Sequence, residues 1–312
     1  MGDNKDSLGD RMKSYEWLST SRQLMPNCPV YARIDGRAFH TLCKGLKKPY
    51  SMDFIQTMQE VCKYLVGETG AVLGYVQSDE ISLGWLDYSK APFEGRMQKL
   101  ESVLASMASA KFVQYIEASK SGGGLHINDG MDRLWHSTQI HIPSFDCRVF
   151  NVPNEAELAN CFLWRENDAI KNSISGMSLS FFSHKQLQNK NSDEKIAMMK
   201  DKGYEFYRDT DESFIRGTFF HREVYEKELS KDEVDRIPAK RLEEMVELGQ
   251  LAYSNYCGQE SYFATRSHIV QMKLPYRLTD TDNLPFILFH CDATIECNKE
   301  SPTFCFERES DK

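Results

Sequence analysis

The sequence predicts an α+β fold, a ferredoxin-like βαββαβ core with additional helices. Three observations predict it. Short apolar, β-prone runs at 30–34 and 71–76 are separated by one helix-length segment. A second helix-length segment, 97–116, stands between the run 81–86 and a strand region at 139–149. The first two runs also each end in carboxylate, at Asp35 and at Asp79-Glu80. Strands that end in acids on either side of one helix can bring Asp35 and Asp79 side by side. Hard divalent cations such as Mg²⁺ prefer such oxygen ligands and complete their shell with substrate phosphates. The expected sheet is therefore a polymerase- or cyclase-like palm serving metal-dependent nucleotidyl transfer.

In chain order, 1–28 is a polar lead with a short helix at 10–18, followed by the strand 30–34. The segment 51–67 places Ile55, Met58, Val61, Cys62 and Leu65 on one helical face, with Ser51 as a candidate N-cap. The runs 71–76 and 81–86 form a hairpin whose tip is Gln77-Ser78-Asp79-Glu80. Leu100, Val103, Leu104 and Met107 give the second helix its stripe. A Gly-rich stretch, 119–124, lacks the Lys-Ser/Thr ending of a phosphate-binding loop and reads as a connection. Helical spacing covers 154–187 and 192–202, a strand is expected at 214–225, and 231–251 is charged with helical spacing. A weak strand signal at 285–289 closes the chain. The domain expectation is a lead (1–29), a catalytic core (30–150), a helical region completing the catalytic domain (151–230) and a C-terminal extension of unknown role (231–312).

Bulk properties bound the function. The chain has 312 residues, 27% charged and 41% apolar, which is ordinary for a globular protein able to bury a full core. No run is long enough for a membrane span, and the polar N-terminus has no signal-peptide core. Nine scattered cysteines without a CxxC pair point to reduced thiols, so a cytoplasmic location is expected. A net charge of −8 argues against bulk attraction to nucleic acid but leaves room for a local basic patch. His290, Cys291, Cys297 and Cys305 fit no common zinc spacing.

The candidate metal ligands are Asp35, Asp79 and the carbonyl of Gly36, where the missing Cβ also lets backbone approach a phosphate. Glu80 is either a third ligand or a group that orients a basic side chain. The turn Arg37-Ala38-Phe39-His40 is expected to cradle a triphosphate through backbone N–H groups. The His40 side chain either contacts phosphate or is a buried, satisfied histidine. Lys48 is a candidate phosphate contact. Ser78 either hydrogen-bonds the nucleotide or forms the turn. Arg33, Arg148 and Arg165 either hold an RNA 5′ end or a second triphosphate, or pair with carboxylates such as Asp146 and Asp168.

Several segments together resemble the tRNA-His guanylyltransferase family. They are Asp35-Gly36-Arg37-Ala38-Phe39-His40, Lys48-Pro49, Ser78-Asp79-Glu80, Phe145-Asp146-Cys147-Arg148 and Trp164-Arg165-Glu166-Asn167-Asp168. Phe182-Ser183-His184-Lys185-Gln186-Leu187 and Arg216-Gly217-Thr218 continue the match, which spans roughly 30–222. The resemblance implies addition of nucleotides to the 5′ end of tRNA, growing 3′ to 5′. ATP activates the 5′-monophosphate, the 3′-hydroxyl of GTP or another nucleotide attacks it, and two Mg²⁺ ions assist. It also implies that Asn172 and Lys185 face the activated end, and that the protein is a homotetramer in which one tRNA spans several subunits. The eukaryotic branch carries His-Ile-Asn-Asn-Leu-Tyr-Asn where this chain has Ile170-Lys171-Asn172-Ser173-Ile174-Ser175-Gly176. The chain thus resembles more closely the guanylyltransferase-like, 3′-5′ polymerase branch, which typically favours template-directed repair of 5′-truncated tRNA. A second departure is Ser51, where many relatives have Asp. Another palm enzyme, such as a nucleotide cyclase or oligonucleotide synthase, is the competing expectation.

Overall fold

The computed structural model describes residues 7–86, 92–121, 129–248, 251–256 and 259–271. The chain divides into two compact units, one built on residues up to His221 and one on Arg222–Val270. The first unit runs α1 (Ser7–Thr20), β1 (Val30–Gly36), α2 (Phe39–Leu42), α3 (Met52–Thr69), β2 (Leu73–Gln77), β3 (Glu80–Trp85), α4 (Met97–Ser121), α5 (Asp129–Ile140), β4 (Phe145–Asn151), α6 (Glu155–Ser178), α7 (His184–Leu187), α8 (Ser192–Asp201), α9 (Phe206–Asp209), α10 (Glu212–Arg216) and β5 (Thr218–Glu228). Its sheet has the order β4-β1-β3-β2-β5 with every pair antiparallel. That is the expected ferredoxin-like core, extended at one edge by Thr218–His221 of β5.

The sheet has two chemically different faces because strand side chains alternate. Val30, Ala32 and Ile34 on β1, Ile81 and Leu83 on β3, and Val149 on β4 point to one face and are buried. Helices α3 and α4 cover this face. On α4 the buried seam is Leu100, Leu104, Ala108, Phe112 and Ile116, a straight four-residue spacing. The stripe expected through Val103 and Met107 is instead only half-buried. Ser51 holds the N-cap position of α3 in extended backbone, but its side chain makes no capping hydrogen bond. On the other face lies α6, capped by Asn154, whose side chain accepts from the Glu157 amide at 2.9 Å. Its Phe162 ring meets Tyr31 edge-on at 5.3 Å. A Cβ at Gly84 would come within 3.0 Å of that ring, so a glycine there lets helix and sheet approach closely.

Some expectations needed correction. The region 139–149 is not one strand: α5 runs to Ile140 and β4 starts only at Phe145. Met131, Leu134 and Thr138 turn inward on α5, but these few positions among polar neighbours give a weak period. The expected strand at 214–225 begins as a helix. Asp211 caps α10 by accepting from the Ser213 amide, and β5 starts at Thr218. In the second unit, Ser230 and Glu233 form a capping box on α11 (Lys231–Asp235). Pro238 then starts α12 (Ala239–Glu247), and β6 (Leu251–Tyr256) pairs with β7 (Gln259–Gln271). Leu229, Leu251 and Ala264 form its small core. This hairpin was not expected. The strand expected at 285–289, the cysteine-rich tail and most of the Gly-rich stretch lie outside the described residues; 119–121 end α4.

Candidate active site

Everything at the candidate site follows from the polar face of β1 and its neighbours. Three successive rungs of the β1–β4 pair match like with like: Tyr31 faces Phe150, Arg33 faces Arg148, and Asp35 faces Asp146. On the other side of β1, Asp35 faces Glu80. Like charges directly opposite one another destabilise a sheet unless something offsets them. The arginine rung is offset locally: Arg148 lies 3.6 Å from Asp146 and Arg33 lies 3.9 Å from Glu80.

The carboxylates gather where β1 ends and the β2–β3 hairpin turns. Ser78 takes a left-handed conformation (φ 53°), and its side chain hydrogen-bonds Asp79. The Gly36 amide donates to the Asp79 carbonyl at 3.0 Å, which ties the end of β1 to the hairpin tip. Asp79 is half-buried. Burial first, and the charge of Asp35 next, push its carboxyl above the ordinary range, while Ser78 and His40 act the other way. His40 is therefore an exposed neighbour of Asp79 and not a buried histidine.

The turn that follows differs in part from expectation. The Arg37 amide donates to the Ser144 carbonyl at 2.8 Å, so Arg37 is not available to a phosphate through its backbone. Ala38 is left-handed (φ 57°) and starts α2. This leaves the amides of Ala38, Phe39 and His40 at the start of the helical turn, where N–H groups have no intrahelical acceptor. The Phe39 side chain belongs to the core, with its ring 4.9 Å from Phe145 and 5.3 Å from Phe112. Lys48 is exposed and is joined to Pro49 by a cis peptide. One neighbour escaped the sequence reading. Cys43 feels both Asp79 and Lys48, and burial followed by Asp79 pushes its thiol up to about 12. It is a neutral thiol beside the acids, and only the three-dimensional approach of α2 reveals it.

Glu80 resolves as the partner of arginines. Arg165 on α6 donates from Nε to Oε1 at 2.5 Å and from Nη2 to Oε2 at 2.9 Å. Arg165 also reaches Asp168 at 3.2 Å, so its alternative as a carboxylate partner is realised. Asn172 donates to the same Asp168 carboxylate at 3.2 Å. Lys185 is placed elsewhere. It lines a cleft of about 480 Å³ with Ser175, His184 and Lys195. Ser175 lies ten residues along α6 from Arg165, about 15 Å at the helical rise.

Among the described residues no group of three or more His, Cys, Asp or Glu side chains could by itself hold a metal ion. Mg²⁺ takes one or two carboxylates and keeps its other positions for water and substrate phosphate. Asp35 and Asp79 are like charges drawn together in a half-buried setting, so a cation there would relieve repulsion. The residues present fit the ion.

A β4-β1-β3-β2 antiparallel sheet with carboxylates gathered at one end places the chain in the class of palm-type folds. Comparison with known proteins narrows that class. A family model described as tRNA-His guanylyltransferase matches residues 9–153. A bacterial tRNA-His guanylyltransferase-like protein solved in complex with ATP is 37% identical, covers 69% of this chain and 87% of its own, and superposes with a TM-score of 0.56. One in complex with GTP is 36% identical over 71% of this chain and 87% of its own, with a TM-score of 0.54. The tRNA-His guanylyltransferase of Schizosaccharomyces pombe is 28% identical over 52% of this chain, which spans 56% of that relative's length. The chain belongs to the tRNA-His guanylyltransferase family and is a nucleotidyltransferase.

Proposed function

We propose that this protein adds nucleotides to the 5′ end of tRNA in the 3′-5′ direction, as G addition, template-directed repair, or both. The observation that carries the reading is the junction of Asp35 and Asp79, held by the Gly36–Asp79 backbone bond at 3.0 Å, in a chain of this family. ATP and GTP are the expected substrates; related bacterial structures hold each of them.

Both steps are in-line displacements at phosphorus, where catalysis is mostly positioning and charge stabilisation. Asp35, the Gly36 carbonyl and Asp79 would hold two Mg²⁺ ions, which supply a lowered hydroxyl pKa and neutralisation of the leaving pyrophosphate. The free amides of Ala38, Phe39 and His40, with the His40 side chain and Lys48, receive the triphosphate. Ser78 holds the Asp79 carboxylate in place. Glu80 fixes Arg165, while Arg33 and Arg148 present cationic groups to the RNA end. Asn172 on α6 and Lys185 on α7 extend the path. A homotetramer would let an acidic chain assemble a continuous basic surface for tRNA, and a cytoplasmic location suits such a substrate. No helix among the described residues is long and apolar enough to cross a membrane.

The test uses a 5′-³²P-labelled tRNA lacking its first nucleotide, with Mg²⁺, ATP and all four nucleoside triphosphates. Wild type should lengthen the 5′ end and Asp79→Ala should not. Dependence on the opposing base then separates repair from untemplated G addition. Pyrophosphate release from triphosphate alone, without extension, would overturn the reading.

A further inference from the structure

Trp164 sits on α6 directly after the helical turn that packs on Tyr31, yet it is 53% exposed. Arginines hold it in place: the Arg165 guanidinium carbon is 4.7 Å from the ring centroid and that of Arg33 is 5.6 Å away. Each of these arginines is anchored in turn by Glu80. Cation–π contacts at exposed sites are weak, so they do not by themselves explain a large open aromatic ring on this face. Beside it run the Arg33–Arg148 rung and the Tyr31–Phe150 rung, in which Phe150 is 39% exposed. An open aromatic ring set among arginines is the combination that single-stranded nucleic acid recognises, through base stacking and backbone charge together.

The position of the ring fixes which base it meets. Arg33 precedes Asp35 by two residues on β1, about 7 Å along the strand, and the Trp164 ring lies over Arg33. The ring therefore lies over the same strand that ends in Asp35-Gly36. Resting on the proposed function, we propose that Trp164 is a nucleobase platform. It stacks on the outer face of the unpaired base at the recessed acceptor end, opposite the missing 5′ nucleotide. That base is thereby held in helical orientation for the incoming nucleotide to pair with.

The experiment uses the full chain and two RNA hairpins, one blunt and one recessed by a single 5′ nucleotide with 2-aminopurine at the unpaired position. Wild type and Trp164→Phe should quench the 2-aminopurine on binding, and Trp164→Ala should not. Removing a stacking ring weakens binding by about 5- to 150-fold, and that loss should fall on the recessed hairpin while the blunt one is bound as before. Equal affinity and equal quenching by Trp164→Ala and wild type would overturn the assignment. So would retained quenching with a changed sedimentation coefficient, which would make the ring a contact between copies of the chain. If wild type binds neither hairpin and extends no tRNA, the underlying function fails with it. If wild type extends tRNA and Trp164→Ala matches it in every readout, only the platform fails.

Discussion

Glu80 and Arg165 meet through two parallel hydrogen bonds, a forked carboxylate–guanidinium pair that ties the start of β3 to α6. Both side chains are largely shielded, at 15% and 16% exposed. A carboxylate engaged on both oxygens is a poor additional metal ligand and a good anchor. Glu80→Gln should therefore lower nucleotide addition by about 10- to 100-fold, as loss of an orienting partner does, while the Mg²⁺ concentration for half-maximal activity stays where it was. A Mg²⁺ titration of activity in both proteins checks this. A large shift in that concentration would instead make Glu80 a direct ligand.

Asp79 makes the complementary case. Its charge is destabilised by burial and by Asp35, so a function other than stability keeps it. In metal-free buffer Asp79→Asn should melt at the same temperature as wild type or above it. Added Mg²⁺ should raise the melting temperature of wild type and leave that of the variant unchanged, because only a site that binds the folded state shifts stability. Activity should fall by at least about a hundredfold. A variant that melts far below wild type without Mg²⁺ would show that Asp79 is structural.

The core of the fold was legible because its signals are local. Apolar runs ending in acid, helical stripes of the right length and a four-residue hairpin tip are all readable from Val30 to Trp85. What stayed hidden depends on distant partners. The Arg37 amide is taken by Ser144, more than a hundred residues away, and nothing near Arg37 announces it. The carboxylate that Arg165 meets is Glu80, 85 residues earlier in the chain. Helix α5 and the β6–β7 hairpin were missed because their buried apolar positions are few, so tertiary context, not periodicity, decides them.

A second ion pair lies deeper. Glu166 accepts from the Arg216 Nε at 2.8 Å and lies 2.7 Å from its Nη2 as an ion pair, with the two side chains only 1% and 9% exposed. Burial still outweighs the arginine and leaves the Glu166 carboxyl above its ordinary 4.5. A carboxyl that holds its proton more tightly when folded favours the folded state below 4.5 and loses that contribution as pH rises through the folded value. Glu166→Gln should therefore match wild type in urea unfolding at acid pH and gain on it towards neutrality. A gap that opens in the opposite direction as pH rises would mean that the Arg216 attraction outweighs burial.

Gly217 follows Arg216 in a left-handed conformation (φ 77°), and a Cβ there would lie 2.5 Å from the Val76 carbonyl oxygen and 2.7 Å from the Tyr75 hydroxyl. That hydroxyl donates to the Arg216 carbonyl at 2.8 Å. The obstacle is backbone and a buried ring, neither of which can swing aside. Gly217→Ala should cost about 2 kcal/mol or more of unfolding free energy, read from the urea midpoint. A change below about 0.5 kcal/mol, typical of neutral surface positions, would show that β5 can shift at little cost.

The departure at Ile170 has a physical reading as well. The motif that the resemblance implies for the eukaryotic branch has histidine where this chain has Ile170. Here Ile170 packs against the cluster of Ile174, Met177, Met199, Phe206 and Ile215, where α6 meets α8, α9 and α10. A histidine would bring a polar, half-buried ring to a mainly apolar junction. Ile170→His should therefore cost about 1–3 kcal/mol of stability and confer no preference for tRNA-His, since Lys171, Ser173, Ile174 and Ser175 still differ from that branch. Urea unfolding and a competition between tRNA-His and a second 5′-truncated tRNA measure the two halves of this prediction. A stable variant that selects tRNA-His would show that this one side chain commands specificity and that the apolar junction tolerates it.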